Sequence, residues 1–263
     1  HGEHNSRFRI LATMQRLSPE VAGYVRVNRA YALGDRLFWH AKACRFEERE
    51  KDFELWSGMW GRGEWEEPMR DHGMTLPVLP FYSLVFPFTM QQVFTISQAW
   101  AAKFHKNMER EPLPAPFGHP YLKYFHQERK LRVGYVSSDV YRIHPVGKSV
   151  NALLRLLDPE RFEVFCFLLV SSQLDEASLL EDGTGGVMLV DLSVQSSAEG
   201  ALSINEEGVH ILIDLNGHTS GVRMELFAYR PAPIALHYMG FGATIGAQYV
   251  HHFMSDPVMA TPE

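Results

Sequence analysis

The chain has 263 residues and a mass of 30.0 kDa, enough for one large domain or two small ones. With 46% apolar and 21% charged residues, wholesale disorder is excluded. A net charge of −6 without any Lys/Arg stripe argues against nucleic acid or an anionic membrane surface as a partner.

From the N-terminus, Val21–Phe53 places Val25, Ala30, Ala32, Leu37 and Ala41 at three-to-four spacing and is predicted helical. The mixed-charge run Glu47–Glu54 reads as a solvated helix face. Gly58–Gly63 and Pro68–Pro80 punctuate the chain, and Met90–Met108 predicts a second amphipathic helix. Pro112, Pro114, Pro116 and Pro120 then crowd into nine residues, which reads as a linker into a new unit. The longest apolar stretches, 81–88 and 164–170, fall well short of the roughly 20 residues a membrane helix needs. Cys44 and Cys166 are too few for a disulfide framework, a usage consistent with a reducing compartment.

From Leu131 the pattern changes to strand, helix, strand. Leu131–Ser138, Phe162–Val170, Val187–Leu192, Val209–Leu215 and Ile234–Tyr238 are short β-prone runs, with Tyr249–Ser255 as a candidate last strand. Val150–Leu157 and Gly221–Tyr229 between them have helical character. Runs such as Val209–Leu215 are apolar on both faces, as expected of parallel strands covered by helices. An open α/β sheet with a parallel core is therefore predicted.

In such sheets a ligand lies beyond the carboxyl ends of the strands. Those ends carry Ser137-Ser138-Asp139 with His144 shortly after, Asn216-Gly217-His218-Thr219-Ser220-Gly221, Met239–Gly246, and Ser255-Asp256. Parallel strands bring all four clusters to one edge. Each also has a local reading: His144 before Pro145 as a helix-start residue, Asp139 as a helix cap, and Asn216-Gly217 as a tight turn. Glu181–Gly186 reads as a loop rather than a phosphate cradle, because it lacks the GxGxxG spacing. The absence of Walker, GxSxG and HExxH motifs removes the commonest NTPase, hydrolase and zinc-protease readings. His251-His252 have no third ligand at a sensible spacing, so no metal site is expected.

Seven blocks occur in a fixed order: Leu131–Asp139, His144-Pro145, Phe162–Cys166, Gly208–Leu212, Asn216-Gly217 with Thr219, Glu225–Ala228 and Arg230–Ile234. Together they closely resemble the N-terminal catalytic half of the protein O-linked N-acetylglucosamine transferases, a family that includes the SPINDLY-type O-fucosyltransferases. The resemblance implies a Rossmann-like N-terminal lobe of a two-lobed (GT-B) glycosyltransferase over residues 126–263. It further implies transitional helices over 36–125, and the tail of a tetratricopeptide array over 1–35. The second lobe, which would bind the nucleotide and its diphosphate, is expected to follow residue 263, so these residues alone are expected to be inactive.

By the same resemblance, the activity is inverting transfer of GlcNAc from UDP-GlcNAc to Ser or Thr of protein acceptors, without metal or other cofactor, in the cytoplasm or nucleus. Asp139 and His144 match the family's Asp…His-Pro pair near the acceptor hydroxyl. Met239 and Gly240 match a pair lining the sugar pocket, with Asn216, Gly217, Thr219 and Thr244 as further binding residues. Asp139 and His144 stand five apart where the family pattern usually has four. Val146 and Lys148 replace a Thr and a His of the animal enzymes. Two alternatives stand beside this reading: GDP-fucose as donor, and a non-catalytic peptide-binding module.

Overall fold

A computed structural model describes residues 32–34, 36–40, 42–61, 78–124, 130–141, 143–171 and 186–258. The chain divides into two compact units, 1–103 and 104–263. Nearly all of the span 1–35 and of the loop 181–186 lies outside the described residues.

The first unit holds α1 (Phe46–Gly61) and the short α2 (Pro80–Ser83), and α3 (Met90–Met108) begins in it. Trp56, Met59, Leu33, Leu37, Val78, Phe86 and Ile96 form its core. The single helix predicted over Val21–Phe53 is interrupted: residues 43–44 form a turn, and Cys44 takes φ +54°. A left-handed residue cannot continue an α-helix, so α1 starts afresh at Phe46. α3 has the bounds its periodicity predicts.

The second unit carries a six-stranded parallel sheet among the described residues: β1 (Leu131–Ser137), β2 (Phe162–Leu168), β3 (Met188–Asp191), β4 (Ile211–Asp214), β5 (Ile234–Tyr238) and β6 (His252–Met254). The spatial order is β3-β2-β1-β4-β5-β6, with every neighbouring pair parallel. The predicted open α/β sheet is thus present. Alternation along the strands divides the core. Val133, Tyr135, Val164, Cys166 and Leu168 pack with Val146, Val150 and Leu154 of α4 (Pro145–Leu154). Val136, Phe165, Phe167 and Leu212 pack with Ala201 and Ile204 of α5 (Ser197–Glu206). The two helices therefore cover opposite faces, as expected where the strand order reverses direction.

Sequence pattern placed the helices less well than the strands. α4 begins at Pro145 rather than Val150, because Pro is pre-set for the first helical turn and His144 caps it. Gly221–Tyr229 shortens to α6 (Glu225–Ala228). α5 escaped the apolar-periodicity reading altogether; its sequence signal is a capping box, with Ser196 Oγ accepting from Glu199 N and Glu199 Oε2 accepting from Ser196 N.

Candidate functional site

The strand order changes direction between β1 and β4: from β1 the chain proceeds to β2 on one side, from β4 to β5 on the other. A crevice opens at such a switch point, at the carboxyl ends of the strands. Here a polar network spans it. Asp139 N donates to Ser137 Oγ (2.9 Å), which bends the chain as it leaves β1. Ser138 N donates to Asn216 Oδ1 (2.9 Å), and Asn216 Nδ2 donates to Ser138 Oγ (2.7 Å) and Asp139 Oδ2 (2.8 Å), with Thr219 Oγ1 also within reach at 3.2 Å. One buried amide therefore aims the Asp139 carboxylate from across the switch point.

The turn after β4 is shaped from below. Asp214 Oδ1 accepts from Asn216 N (3.0 Å) and Asp214 Oδ2 from Gly217 N (2.8 Å). Gly217 has φ +58°, and a Cβ there would stand 2.5 Å from Phe241 Cβ, so the Asn-Gly pair is both a tight turn and part of the polar edge. After β5 two consecutive residues are left-handed, Met239 at φ +58° and Gly240 at φ +63°. A Cβ on Gly240 would overlap the Leu215 carbonyl, so this loop lies directly against the β4 turn. A left-handed Met persists only where its surroundings over-determine it, a condition that concentrates at binding sites.

The predicted site residues fall into three groups. Asp139, Asn216, Gly217 and Thr219 are joined by the network described. Met239 and Gly240 pack against that turn, whereas Thr244 is exposed and its Oγ1 accepts from Gly246 N (3.2 Å). His144 lies on the loop from β1 into α4. Its Nδ1 accepts from Val146 N (3.3 Å), its ring centroid lies 5.1 Å from that of Tyr141, and the ring is half-buried. The local reading of His144 as a helix-start residue is therefore seen, whereas Asp139 caps no helix and bonds Asn216 instead.

Asp214 and His237 were not singled out in the sequence. They pair across the β4/β5 register, with His237 Nδ1 2.7 Å from Asp214 Oδ2 and its Nε2 2.8 Å from the Phe241 carbonyl. A charged residue ending one apolar run and a His inside the next is the only signal the sequence carries. His218 is also buried, its Nε2 2.7 Å from the Ile245 carbonyl, and burial holds it below the usual imidazole range. The Cys166 thiol is pushed up to about 12 by burial, which makes it inert. Among the described residues no group of three or more His, Cys, Asp or Glu is placed to hold a metal ion, and His251 and His252 are exposed. No described helix is long and apolar enough to cross a membrane.

A parallel sheet with side chains bonded across its switch point defines an α/β unit of the kind that binds a ligand at the carboxyl edge of its strands. This chain belongs to glycosyl transferase family 41, whose sequence model matches residues 71–263. It is 36% identical over 182 residues to a probable UDP-N-acetylglucosamine–peptide N-acetylglucosaminyltransferase SEC of Arabidopsis thaliana, covering 68% of this chain and 18% of that one. To a UDP-N-acetylglucosamine–peptide N-acetylglucosaminyltransferase of Caenorhabditis elegans it is 32% identical over 184 residues, covering 69% and 16%. A probable SPINDLY transferase of Petunia hybrida is 28% identical over 138 residues, covering 51% and 15%. The chain thus spans less than a fifth of the length of these curated relatives. A mutant O-GlcNAc transferase of Thermobaculum terrenum shares the fold, with a TM-score of 0.53 at 18% identity over 96% of this chain and 54% of that one.

Proposed function

We infer that this chain is the N-terminal catalytic lobe of an inverting protein O-GlcNAc transferase that moves GlcNAc from UDP-GlcNAc to Ser or Thr of protein acceptors. The observation that carries the reading is the Asn216–Asp139 bond across the switch point, in a chain whose relatives at 32–36% identity are peptide N-acetylglucosaminyltransferases. In the transfer, the acceptor hydroxyl oxygen bonds to the anomeric carbon as the bond to the diphosphate breaks, and the hydroxyl proton leaves. Positioning and electrostatics supply most of such an acceleration.

His144 orients the acceptor. Its Nδ1 is engaged by the Val146 N–H, so the neutral ring carries its proton on Nε2 and presents a donor to the hydroxyl oxygen. The Asp139 carboxylate, held by Asn216, is the acceptor for the departing proton. The Met239–Gly240 loop and Thr244 shape the sugar side, with Asn216, Gly217 and Thr219 supporting the turn beneath. The reaction requires no metal, and the protein works in the cytoplasm or nucleus.

The full-length protein, incubated with UDP-GlcNAc and a Ser-containing peptide, is expected to yield glycosylated peptide, unchanged by EDTA. Asp139→Asn and His144→Ala are each expected to lower kcat about a hundredfold, within the usual range for a proton-transfer or orienting group. Turnover of GDP-fucose instead of UDP-GlcNAc would reassign the donor. Peptide binding with no turnover of either donor would replace the enzyme reading with that of a binding module.

A further inference from the structure

Asp214 and His237 take no part in the chemistry outlined above, yet they are the most deeply buried charged pair at this edge, with side-chain exposures of 3% and 0%. With the Asp214 carboxylate ionised, both nitrogens of the His237 ring face atoms that only accept: Asp214 Oδ2 at 2.7 Å and the Phe241 carbonyl at 2.8 Å. A neutral imidazole has one N–H and would leave one of these short contacts between lone pairs in a water-free place. The doubly protonated ring satisfies both. Asp214 in turn accepts from the backbone N–H groups of Asn216 and Gly217, whereas Phe241 closes the left-handed turn at Met239-Gly240. The ring is therefore the polar connection between the turn after β4 and the loop after β5.

We propose that His237 is a positioning residue: held as an imidazolium between Asp214 and Phe241, it ties the Asn216-Gly217 turn to the Met239–Phe241 loop so that both halves of the donor-sugar subsite keep one geometry, an inference that rests on the transferase reading. The surroundings of the ring are consistent with this. Burial opposes its charge, but the Asp214 hydrogen bond, the Asp214 charge and the Phe241 carbonyl outweigh it and hold His237 above the usual imidazole range. From the neighbouring elements, burial holds His218 below the usual imidazole range and raises the Tyr249 phenol. The His105 ring stacks on Tyr249, and β6 presents the uncharged Phe253 ring, stacked 5.5 Å from His237. Asp214 is the anion that faces His237 directly.

The sign of the pH effect follows. A histidine raised on folding keeps its clamp, and the stability it contributes, fully below the ordinary imidazole value and loses both as pH rises through its elevated folded value. Once one proton has left, only one of the two acceptors is still served, and the loops uncouple.

The test uses the full-length protein with selectively 15N-labelled histidine. The His237 ring is expected to show two protonated nitrogens at pH 7 and to titrate above the ordinary imidazole range, with the amide signals of Gly217 and Phe241 shifting at the same pH. KM for UDP-GlcNAc is expected to rise across that titration while kcat holds. His237→Gln, which offers one donor group in place of two opposed ones, is expected to raise KM roughly tenfold and to remove the pH step. If that variant does not fold, the wild-type titration and KM profile decide. A singly protonated ring at pH 7, amide signals that do not follow it, or a KM flat across the titration overturns the proposal. Lack of turnover with any nucleotide sugar overturns the transferase reading, while the ring and amide titrations still decide whether the clamp exists.

Discussion

The two edges of the sheet use similar residues to opposite ends. At the amino edge, Arg132 N donates to His210 Nδ1 (2.9 Å), Arg132 Nη1 to the Glu207 carbonyl (3.3 Å), and Tyr121 Oη to the Val209 carbonyl (2.9 Å). Side chains there mostly satisfy backbone groups, and the one cross-strand pair of side chains among the described residues, Arg132 with Glu163 (3.0 Å), is half-exposed. At the carboxyl edge, side chains bond one another across strands: Asn216 to Asp139 and His237 to Asp214. That edge also has the left-handed Met239. The difference shows that a polar cluster is read by what it bonds. At the carboxyl edge the Asp139 carboxylate is aimed by a side-chain amide and stays partly exposed, whereas the buried Asp214–His237 pair is fully engaged and serves to hold the turns.

Mutations at each edge sharpen this contrast. The largest expected effect is that of Gly240→Ala, since its Cβ would collide with the Leu215 backbone and its φ of +63° disfavours any side chain. We expect a loss of about 4 kcal/mol or more in urea unfolding, or failure to fold. Next comes Asn216→Ala, which leaves the buried Ser138 N–H without its acceptor and releases the Asp139 carboxylate. About 2–3 kcal/mol of stability should go, together with transferase activity. A variant that kept wild-type kcat would break the assignment of this edge as the site.

At the amino edge Tyr121→Phe removes one hydrogen bond to Val209 and should cost about 1 kcal/mol, with kcat and KM unchanged. Glu163→Ala removes a half-exposed pair with Arg132 (3.0 Å) and should cost roughly 0–0.5 kcal/mol. Altered kinetics in either amino-edge variant would show that the two edges are not as separate as their bonding indicates.

Much of the architecture was legible in the sequence because strand burial writes itself as short apolar runs. The first five runs became β1 to β5, and Tyr249–Ser255 shortened to β6. The helices were harder. α5 has small and polar residues on much of its surface and is stabilised by a capping box and by contact with α6, so its apolar periodicity is faint. Cys44 ended a helix that periodicity would continue, because one left-handed residue is invisible to a pattern count. At the edge, Asp139 and the Asn216-Gly217 pair stood out as polar and glycine residues following apolar runs. Asp214 and His237 did not, because a lone Asp at the end of one strand and a lone His within the next look like stray polar residues until they are seen as partners.

The order of hydrophobic runs and turn residues thus determined, by itself, a parallel α/β sheet and the four clusters at its strand ends, since both follow from local periodicity and chain direction. Only the tertiary structure decided which of those clusters bond one another. Strand order put β1 beside β4, 78 residues apart between Ser138 and Asn216, and register put His237 opposite Asp214. Hydrogen bonds of that kind depend on distances between chain segments that no local pattern encodes. The fold could be read along the chain, whereas the aim of Asp139 and the pairing of His237 could be read only across the sheet.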